Sequence, residues 1–319
     1  MSVQHPTFGT TLGSFGAGLV SGPVLCQWAE EIERLGFDVL FYRDHVLWHS
    51  PVFDPFTALG AFAARTTRIQ IGTGVLLLPL RSPTLVAKAV ATLDHFSSGR
   101  ALLGIGVGGE FQPEYEACGI PLRERGKRAN EALQVIKALW TTSPASFSGQ
   151  FYQLNEVVMQ PRPLQQPHPP IWIGGRSDAA LARAGRYGDG WFAYFVTPER
   201  FRTSFAKAQA HWQRRETAKT TFTSGIVLYF CVALTYEQAK QEAIRYLSTE
   251  YHQPFDQLVE KYCALGPISE CIAAIERYIE AGVEHVNLIP ICSPPAVMDQ
   301  LQQISTGLFS RFRTPASTN

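Results

Sequence analysis

The 319-residue chain carries a formal net charge of +1 at pH 7, with 45% hydrophobic and 17% charged residues. These are ordinary globular values, and so balanced a charge gives no electrostatic reason to expect a nucleic-acid partner. The amino terminus lacks a basic segment followed by an apolar stretch, and no run approaches the ~20 apolar residues of a membrane span, so we expect a cytoplasmic protein with no membrane partner.

Strand-like and helix-like segments alternate along the chain, which is the pattern of a parallel sheet with crossover helices. In the first half, strands are predicted at 8–14, 39–42, 69–78 and 101–105. The run 69–78 is rich in β-branched residues and leucine, which is typical of a strand buried on both faces. Helices are predicted at about 22–35, where Gly36 ends the helix, from Pro55, and at 83–96.

The second half continues the same alternation. Strands are predicted at 171–173, 190–195, about 223–233 and 285–290, and helices from Asp178, from Pro198, near Thr235, at 268–281 and at about 295–312. The spacing of Thr235 and Gln238 resembles a capping box. Two stretches, about 142–170 and 248–264, are additional to this alternation, and long insertions of this kind are usually functional or form lids.

Eight such units predict an α/β fold, a single (β/α)₈ TIM barrel over residues 1–319 with those two insertions. The competing architecture is a doubly wound open sheet, whose glycine fingerprint would follow the first strand. The first glycine cluster (Gly13, Gly16 and Gly18) lacks that spacing, and the chain has eight units rather than six. We therefore favour the barrel.

The cysteines and histidines show no metal-binding pattern. There is no CxxC motif and no short Cys/His pairing, so the sequence predicts neither a metal site nor a disulfide framework. The six cysteines are Cys26, Cys118, Cys231, Cys263, Cys271 and Cys292.

Barrel active sites lie at the carboxyl ends of the strands, so the residues that follow each strand are the first candidates. Asp44 and His45 follow the second strand, where a carboxylate and an imidazole suit proton transfer or the binding of a polar ring edge. A hydrogen bond that braces the loop is an equally good interpretation. Trp48 lies four residues beyond Asp44 in a predicted top loop and is the one tryptophan to which we assign a functional role.

Two glycine-rich segments follow later strands. Gly106-Val107-Gly108-Gly109 precedes Glu110, which suits the close approach of backbone to a flat ligand beside an acid or base, or equally a flexible turn before a helix. Gly174-Gly175-Arg176-Ser177 leads into a helix whose free N–H groups favour a phosphate. The alternative there is a tight turn with Ser177 or Asp178 as N-cap, but the combination of two glycines with Arg176 favours an anion site.

Several blocks of the sequence resemble luciferase-like monooxygenases, especially the subgroup that uses the deazaflavin coenzyme F420. These blocks are LFYRDH (40–45), IGTGVLLLPLRSP (71–83), ATLDHFSSGR (91–100), LGIGVG (103–108), GKR (126–128), PRP (161–163), IWIGG (171–175) and GDGW (188–191). Together they extend from the second predicted strand into the sixth.

The resemblance implies a cis, non-proline peptide bond at Gly74-Val75, which presses a bulge against the central cofactor ring. It also implies that Asp44 contacts the cofactor, that His45 lies on the substrate side, and that Glu110 serves in proton transfer, with Gly109 as an extra residue in that block. Further implied cofactor contacts are Gly108, Gly109, Gly174, Gly175 and Arg176, where Asn or Ser is common at the position of Arg176. The insertion 142–170 matches an excursion that often covers the site.

The resemblance therefore implies an oxidoreductase that transfers a hydride between coenzyme F420 and a small organic substrate, in a protein that we expect to be a homodimer. His45, Glu110 and Trp48 are the candidate catalytic residues. An alternative is an FMN-dependent monooxygenase of the same fold, which uses reduced flavin and O₂. A non-enzymatic alternative is a flavin-binding barrel without catalysis.

Overall fold

A computed structural model describes residues 5–13, 18–215 and 221–313. The strands are β1 (Thr7–Leu12), β2 (Val39–Tyr42), β3 (Gln70–Thr73), β4 (Leu76–Leu77), β5 (Ala101–Gly106), β6 (Ala145–Ser148), β7 (Gln153–Val157), β8 (Ile171–Gly174), β9 (Gly190–Tyr194), β10 (Thr223–Val232), β11 (Cys263–Gly266) and β12 (His285–Pro290).

The α-helices of the described residues are α1 (Gly22–Leu35), α2 (Pro55–Arg65), α3 (Pro83–Phe96), α4 (Gln112–Ala117), α5 (Arg125–Thr141), α6 (Asp178–Tyr187), α7 (Pro198–Gln213), α8 (Tyr236–Tyr251), α9 (Val259–Tyr262), α10 (Ile268–Glu280) and α11 (Val297–Phe312). None of them is both long and apolar enough to cross a membrane.

The parallel strands close into the predicted barrel. The order around it is β1, β2, β3 with β4, β5, β8, β9, β10 and β12, and β12 pairs with β1 to complete the circle. The helices lie outside, several of them started by the predicted signals. Ser177 accepts a hydrogen bond from the N–H of Ala180, Thr235 accepts one from Gln238, and Gly36 ends α1 with a φ of 98°. The barrel expectation is confirmed.

The third predicted strand, 69–78, is not continuous. β3 ends at Thr73, the peptide bond Gly74-Val75 is cis as the resemblance implied, and β4 resumes against β5 for two residues before a 3₁₀ turn at Leu78–Leu80. The prediction of one long strand was wrong because both faces of this run are buried. A largely apolar run shows no clear alternation of apolar and polar residues from which an interruption can be predicted. The first strand was predicted to reach Ser14, which lies outside the described residues.

The two extra segments have different structures. Residues 142–170 contain an antiparallel hairpin, β6 and β7, whose loop is held by Glu131 of α5 through the N–H groups of Gln150 and Phe151. The segment 248–264 begins inside α8 and ends in β11, which extends the sheet beside the far end of β10. The assignment of residues 1–319 to one domain stays a prediction.

Candidate active site

A cavity of about 410 Å³ opens at the carboxyl ends of the barrel strands, where barrel enzymes hold their substrates. Ten of the eleven predicted site residues line it: Asp44, His45, Trp48, Gly74, Val75, Gly108, Glu110, Gly174, Gly175 and Arg176. Gly109 does not line the cavity. It has a φ of 117° and lies beside the Arg125 side chain, which does line it.

The floor of the cavity is the side chain of Val75. A Cβ added at Gly106 would lie 2.8 Å from Val75 Cγ2, and one added at Gly174 would lie 3.2 Å from Val75 Cγ1. Val75 packs in turn against a cluster inside the barrel that includes Phe41 and Trp172. The glycines at the ends of β5 and β8 therefore leave room for an apolar floor on which a flat ring can lie.

The carboxylate of Asp44 is engaged inside the protein. Its two oxygens accept hydrogen bonds of 2.7 Å from Arg81 Nη1 and Nη2, and Oδ2 also accepts one of 2.9 Å from the N–H of Leu77. The Asp44 side chain is 0% exposed and that of Arg81 is 18% exposed. Asp44 thus anchors the chain that follows Val75 and presents no free charge to the cavity.

His45 is held from two sides. Its Nδ1 lies 3.2 Å from Glu114 Oε1, and Glu114, which is fully buried, also accepts from the N–H of Val46 at 3.2 Å. The Trp48 ring stacks on the imidazole with centroids 3.9 Å apart and an angle of 18° between the planes. A carboxylate that faces Nδ1 favours a proton on that nitrogen, which leaves Nε2 for exchange with a ligand.

One wall of the cavity contains an ion pair. Arg43 Nη1 lies 2.6 Å from Glu250 Oε1, and the Glu250 carboxylate also accepts from Trp48 Nε1 and from Ser50 Oγ, each at 3.1 Å. The Glu250 side chain is 2% exposed. The wall at this point is therefore polar but electrically neutral.

Phenol groups complete that wall. The hydroxyls of Tyr229 and Tyr251 are 2.7 Å apart, and Tyr246 also lines the cavity. Burial raises the pKa of Tyr229 well above its usual range and also raises the pKa of Tyr251. These side chains therefore stay protonated at neutral pH and offer hydroxyl hydrogen bonds without charge.

At the other end, cationic groups meet the start of α6. Arg176 lies over the Tyr194 ring at 5.3 Å, and its Nη1 donates to the carbonyl of Phe195 at 3.2 Å. Arg125 begins α5, and its Nε is buried without a hydrogen-bond partner among the described residues. Two helix amino termini and two guanidinium groups make this end of the cavity suited to an anion.

Glu110 lies on the exposed rim between these two ends. Its Oε1 accepts a hydrogen bond of 3.4 Å from the hydroxyl of Tyr194. Burial and the nearby Glu110 charge raise the pKa of Tyr194 to about 12. The phenol is therefore a hydrogen-bond donor, and Glu110 is the solvent-accessible carboxylate of the pair.

The site residues that the sequence did not reveal are partners distant along the chain. Glu114 is one of two glutamates in the short helix α4, and nothing local distinguishes it from Glu116. Glu250 lies in the second extra segment, which contributes to the cavity as a functional insertion would. The resemblance implied an excursion at 142–170 of a kind that often covers the site, and no residue of that segment lines the cavity. Among the described residues, no group of three or more His, Cys, Asp or Glu side chains is placed to hold a metal ion.

The chain is similar to proteins that use either of two cofactors. An F420-dependent glucose-6-phosphate dehydrogenase of Kineococcus radiotolerans is 28% identical over 294 residues, which cover 82% of this chain and 85% of that protein. An FMNH₂-dependent dimethylsulfone monooxygenase of Pseudomonas putida is 39% identical over 135 residues, which cover 41% of this chain and 37% of the relative.

Two further similarities are to an uncharacterised protein and to a solved structure. An uncharacterised protein of Mycobacterium tuberculosis is 37% identical over 172 residues, and the match spans 54% of this chain but only 57% of that relative. A monooxygenase from Streptomyces bottropensis shares the fold with a TM-score of 0.81 at 24% identity, covering 96% of this chain and 98% of its own.

The family assignment rests on a match along most of the sequence. The model of the luciferase-like monooxygenase family matches residues 24–285, which include β2 to β11 and the first residue of β12. The cavity-lining residues Arg43 to Tyr251 all fall within that range. The chain therefore belongs to the luciferase-like monooxygenase family.

Proposed function

We propose that the protein is an oxidoreductase that binds coenzyme F420 and moves a hydride between that cofactor and a small organic substrate. The observation that carries the proposal is the arrangement of the cavity: an apolar floor at Val75 with an anion-binding end on one side and a neutral polar wall on the other. A ring cofactor with a phosphorylated tail needs that order of surfaces. The similarity to F420-dependent glucose-6-phosphate dehydrogenase over 82% of the chain supports this choice of cofactor.

The residues at the anion-binding end fit a phosphate group. The buried Arg125 Nε lacks a partner among the described residues and can donate to a phosphate oxygen. A side chain at Gly175 would meet the Cβ of Ala180 at 2.7 Å, so glycine keeps the backbone close to the start of α6. We assign Gly174, Gly175, Arg176 and Arg125 to the phosphate, and Gly74, Val75 and Gly108 to the ring.

When bound, the deazaflavin supplies a carbon, C5, that donates or accepts a hydride. The chain's own residues position the reactants around it. Val75 supports the ring from below, and Asp44 acts indirectly by holding the backbone at Leu77. His45, kept in place by Glu114 and Trp48, holds or exchanges a proton at Nε2, and Glu110 is a second site for proton exchange at the rim.

The alternative cofactor is FMN, with reduced flavin and O₂ as reactants. The similarity to an FMNH₂-dependent monooxygenase at 39% identity favours it over part of the chain. Titration of the purified protein with F420 and with FMN, followed by fluorescence quenching, separates the two. We expect F420 to bind tightly. Tight binding of FMN with no binding of F420 would overturn the proposal, and binding without any turnover would indicate a barrel that has lost catalysis.

The anion-binding end has its own test. Replacing Arg176 with alanine should weaken cofactor binding by about 1.5 to 3 kcal/mol, since it removes a charge-assisted hydrogen bond to phosphate. The matched control is Arg200→Ala, which removes an exposed arginine on α7 that does not line the cavity. If both variants bind the cofactor as tightly as the unaltered protein, Arg176 does not contact the phosphate, and the loop before α6 is only a structural turn.

A further inference from the structure

The charges that line the cavity are unevenly distributed. Three Lys or Arg side chains are among the described residues of its lining: Arg43, Arg125 and Arg176. Arg125 and Arg176 lie at the phosphate end, beside α5 and α6. Arg43 alone lies on the opposite wall, next to Trp48, with its guanidinium carbon 6.0 Å from the centre of that ring.

Arg43 is not available as an anion site. Its 2.6 Å contact with Glu250 neutralises it, and two further hydrogen bonds, from Trp48 and Ser50, hold the Glu250 carboxylate in place. A phosphate or carboxylate near Arg43 would have to displace or lie against this buried negative charge. Bringing like charges together in a site shielded from water costs far more than it does in bulk solvent.

The rest of this wall is suited to a neutral ring. The Trp48 ring lies beside Glu250, and the apolar Ile289 is paired with Tyr229 on the neighbouring strand. The paired hydroxyls of Tyr229 and Tyr251 are protonated hydrogen-bonding groups. A carbonyl or hydroxyl oxygen can accept or donate a hydrogen bond here without a counter-charge. Aromatic and apolar surfaces contribute affinity for a ring through area buried.

We propose that this wall selects an uncharged ring ketone or the matching secondary alcohol as substrate, and rejects phosphate esters and carboxylates. The inference rests on the proposed function, which assigns Arg125 and Arg176 to the cofactor and so removes them from substrate binding. Glu250 is then a specificity-determining residue, because its charge cancels that of Arg43, the remaining arginine among the described residues of the lining. Sugar phosphates, the substrate class named for the Kineococcus relative, are excluded on this ground.

The test compares two ring ketones of similar size, 4-methylcyclohexanone and 4-oxocyclohexanecarboxylate. Calorimetry measures their binding to the protein loaded with oxidised F420, which cannot reduce them. Turnover is measured on the protein loaded with reduced F420, as the recovery of oxidised-cofactor absorbance when a hydride passes to the ketone. We expect the neutral ketone to bind at least tenfold more tightly. Glu250→Gln exposes the Arg43 charge and should reduce that preference at least tenfold.

Two further variants separate charge from packing. The double variant Arg43→Gln/Glu250→Gln has no charge on the wall and should regain the preference for the neutral ketone. Glu237→Gln, which changes an exposed glutamate on the same helix, should leave it unaltered. Near-ultraviolet circular dichroism shows whether each variant is folded. If Glu250→Gln does not fold, the double variant still tests whether the wall prefers the neutral ketone.

The outcomes distinguish this inference from the function on which it rests. If F420 binds but the carboxylate ketone is preferred, or neither ketone binds, or Glu250→Gln leaves the ratio unchanged, the inference is overturned while the cofactor assignment stands. If F420 does not bind, the proposed function is overturned and the inference with it.

Discussion

Replacement of Asp44 by asparagine tests whether this carboxylate is an anchor of the cavity floor. The substitution keeps the shape of the side chain and one acceptor oxygen for the N–H of Leu77, which donates at 2.9 Å. It removes the charge that both nitrogens of Arg81 contact at 2.7 Å. If Asp44 instead contacted only the cofactor, the free energy of unfolding without cofactor would not change.

The expected loss can be worked out from burial. Breaking a buried ion pair by removing one partner costs about 3 to 5 kcal/mol. The Arg81 side chain is 18% exposed, and Asp54 lies 4.0 Å from it, so part of its charge stays compensated. We therefore expect a loss near the lower limit, about 3 kcal/mol, with F420 affinity reduced at least tenfold because the chain beyond Val75 is no longer held.

Urea denaturation of the cofactor-free protein measures the stability, and fluorescence titration measures the affinity. The double variant Asp44→Asn/Arg81→Met should recover most of the stability, since it leaves no uncompensated charge. As a control for stability, Asp178→Asn breaks a pair with Lys207 in which both side chains are mostly exposed, and should change the free energy of unfolding by less than about 1 kcal/mol. A loss below about 1 kcal/mol for Asp44→Asn would refute the anchoring role.

Two other predictions concern the barrel interior and the floor. Burial lowers the pKa of His285 to about 3, so this side chain stays neutral in the folded state while the unfolded chain takes up a proton below about pH 6.5. The free energy of unfolding therefore decreases as the pH falls. Between pH 8 and pH 5, urea denaturation should show that the unaltered protein loses about 2 kcal/mol more of this free energy than His285→Gln does. Equal losses in the two proteins would contradict the prediction. Gly106→Ala should weaken cofactor binding, because its Cβ would lie 2.8 Å from Val75 Cγ2. The matched control is Gly60→Ala in α2, where the added Cβ meets nothing within 4 Å. This variant should raise the free energy of unfolding by about 0.5 to 1 kcal/mol and leave the cofactor affinity unchanged. A similar change of affinity in both variants would argue against Val75 as the floor.

The parts of the fold that the sequence predicted well are those whose signals are local. The predicted bounds of β2, α3 and β12 agree with the structure, because a short apolar and aromatic run, a proline start and a Ser-Ser-Gly stop act within a few residues. The strand β11 was missed, since Cys-Ala-Leu-Gly has no strand pattern of its own and becomes a strand by pairing with β10. The interruption after β3 came only from the resemblance, as its apolar run shows no break.

In the candidate site, too, the sequence located individual residues but not the long-range contacts between them, and those contacts determine the charge of the cavity. The rule that barrel sites follow the strand ends located Asp44, His45 and Gly174 from sequence alone. It could not show which charges are cancelled, because Arg43 and Glu250 are 207 residues apart. A sequence with Arg43-Asp44-His45 in a top loop suggests two charges and an imidazole available to a ligand, whereas folding pairs each of these side chains with a partner from another element. The charge that a substrate meets is thus a property of the tertiary structure and cannot be read from the strand-end motifs alone.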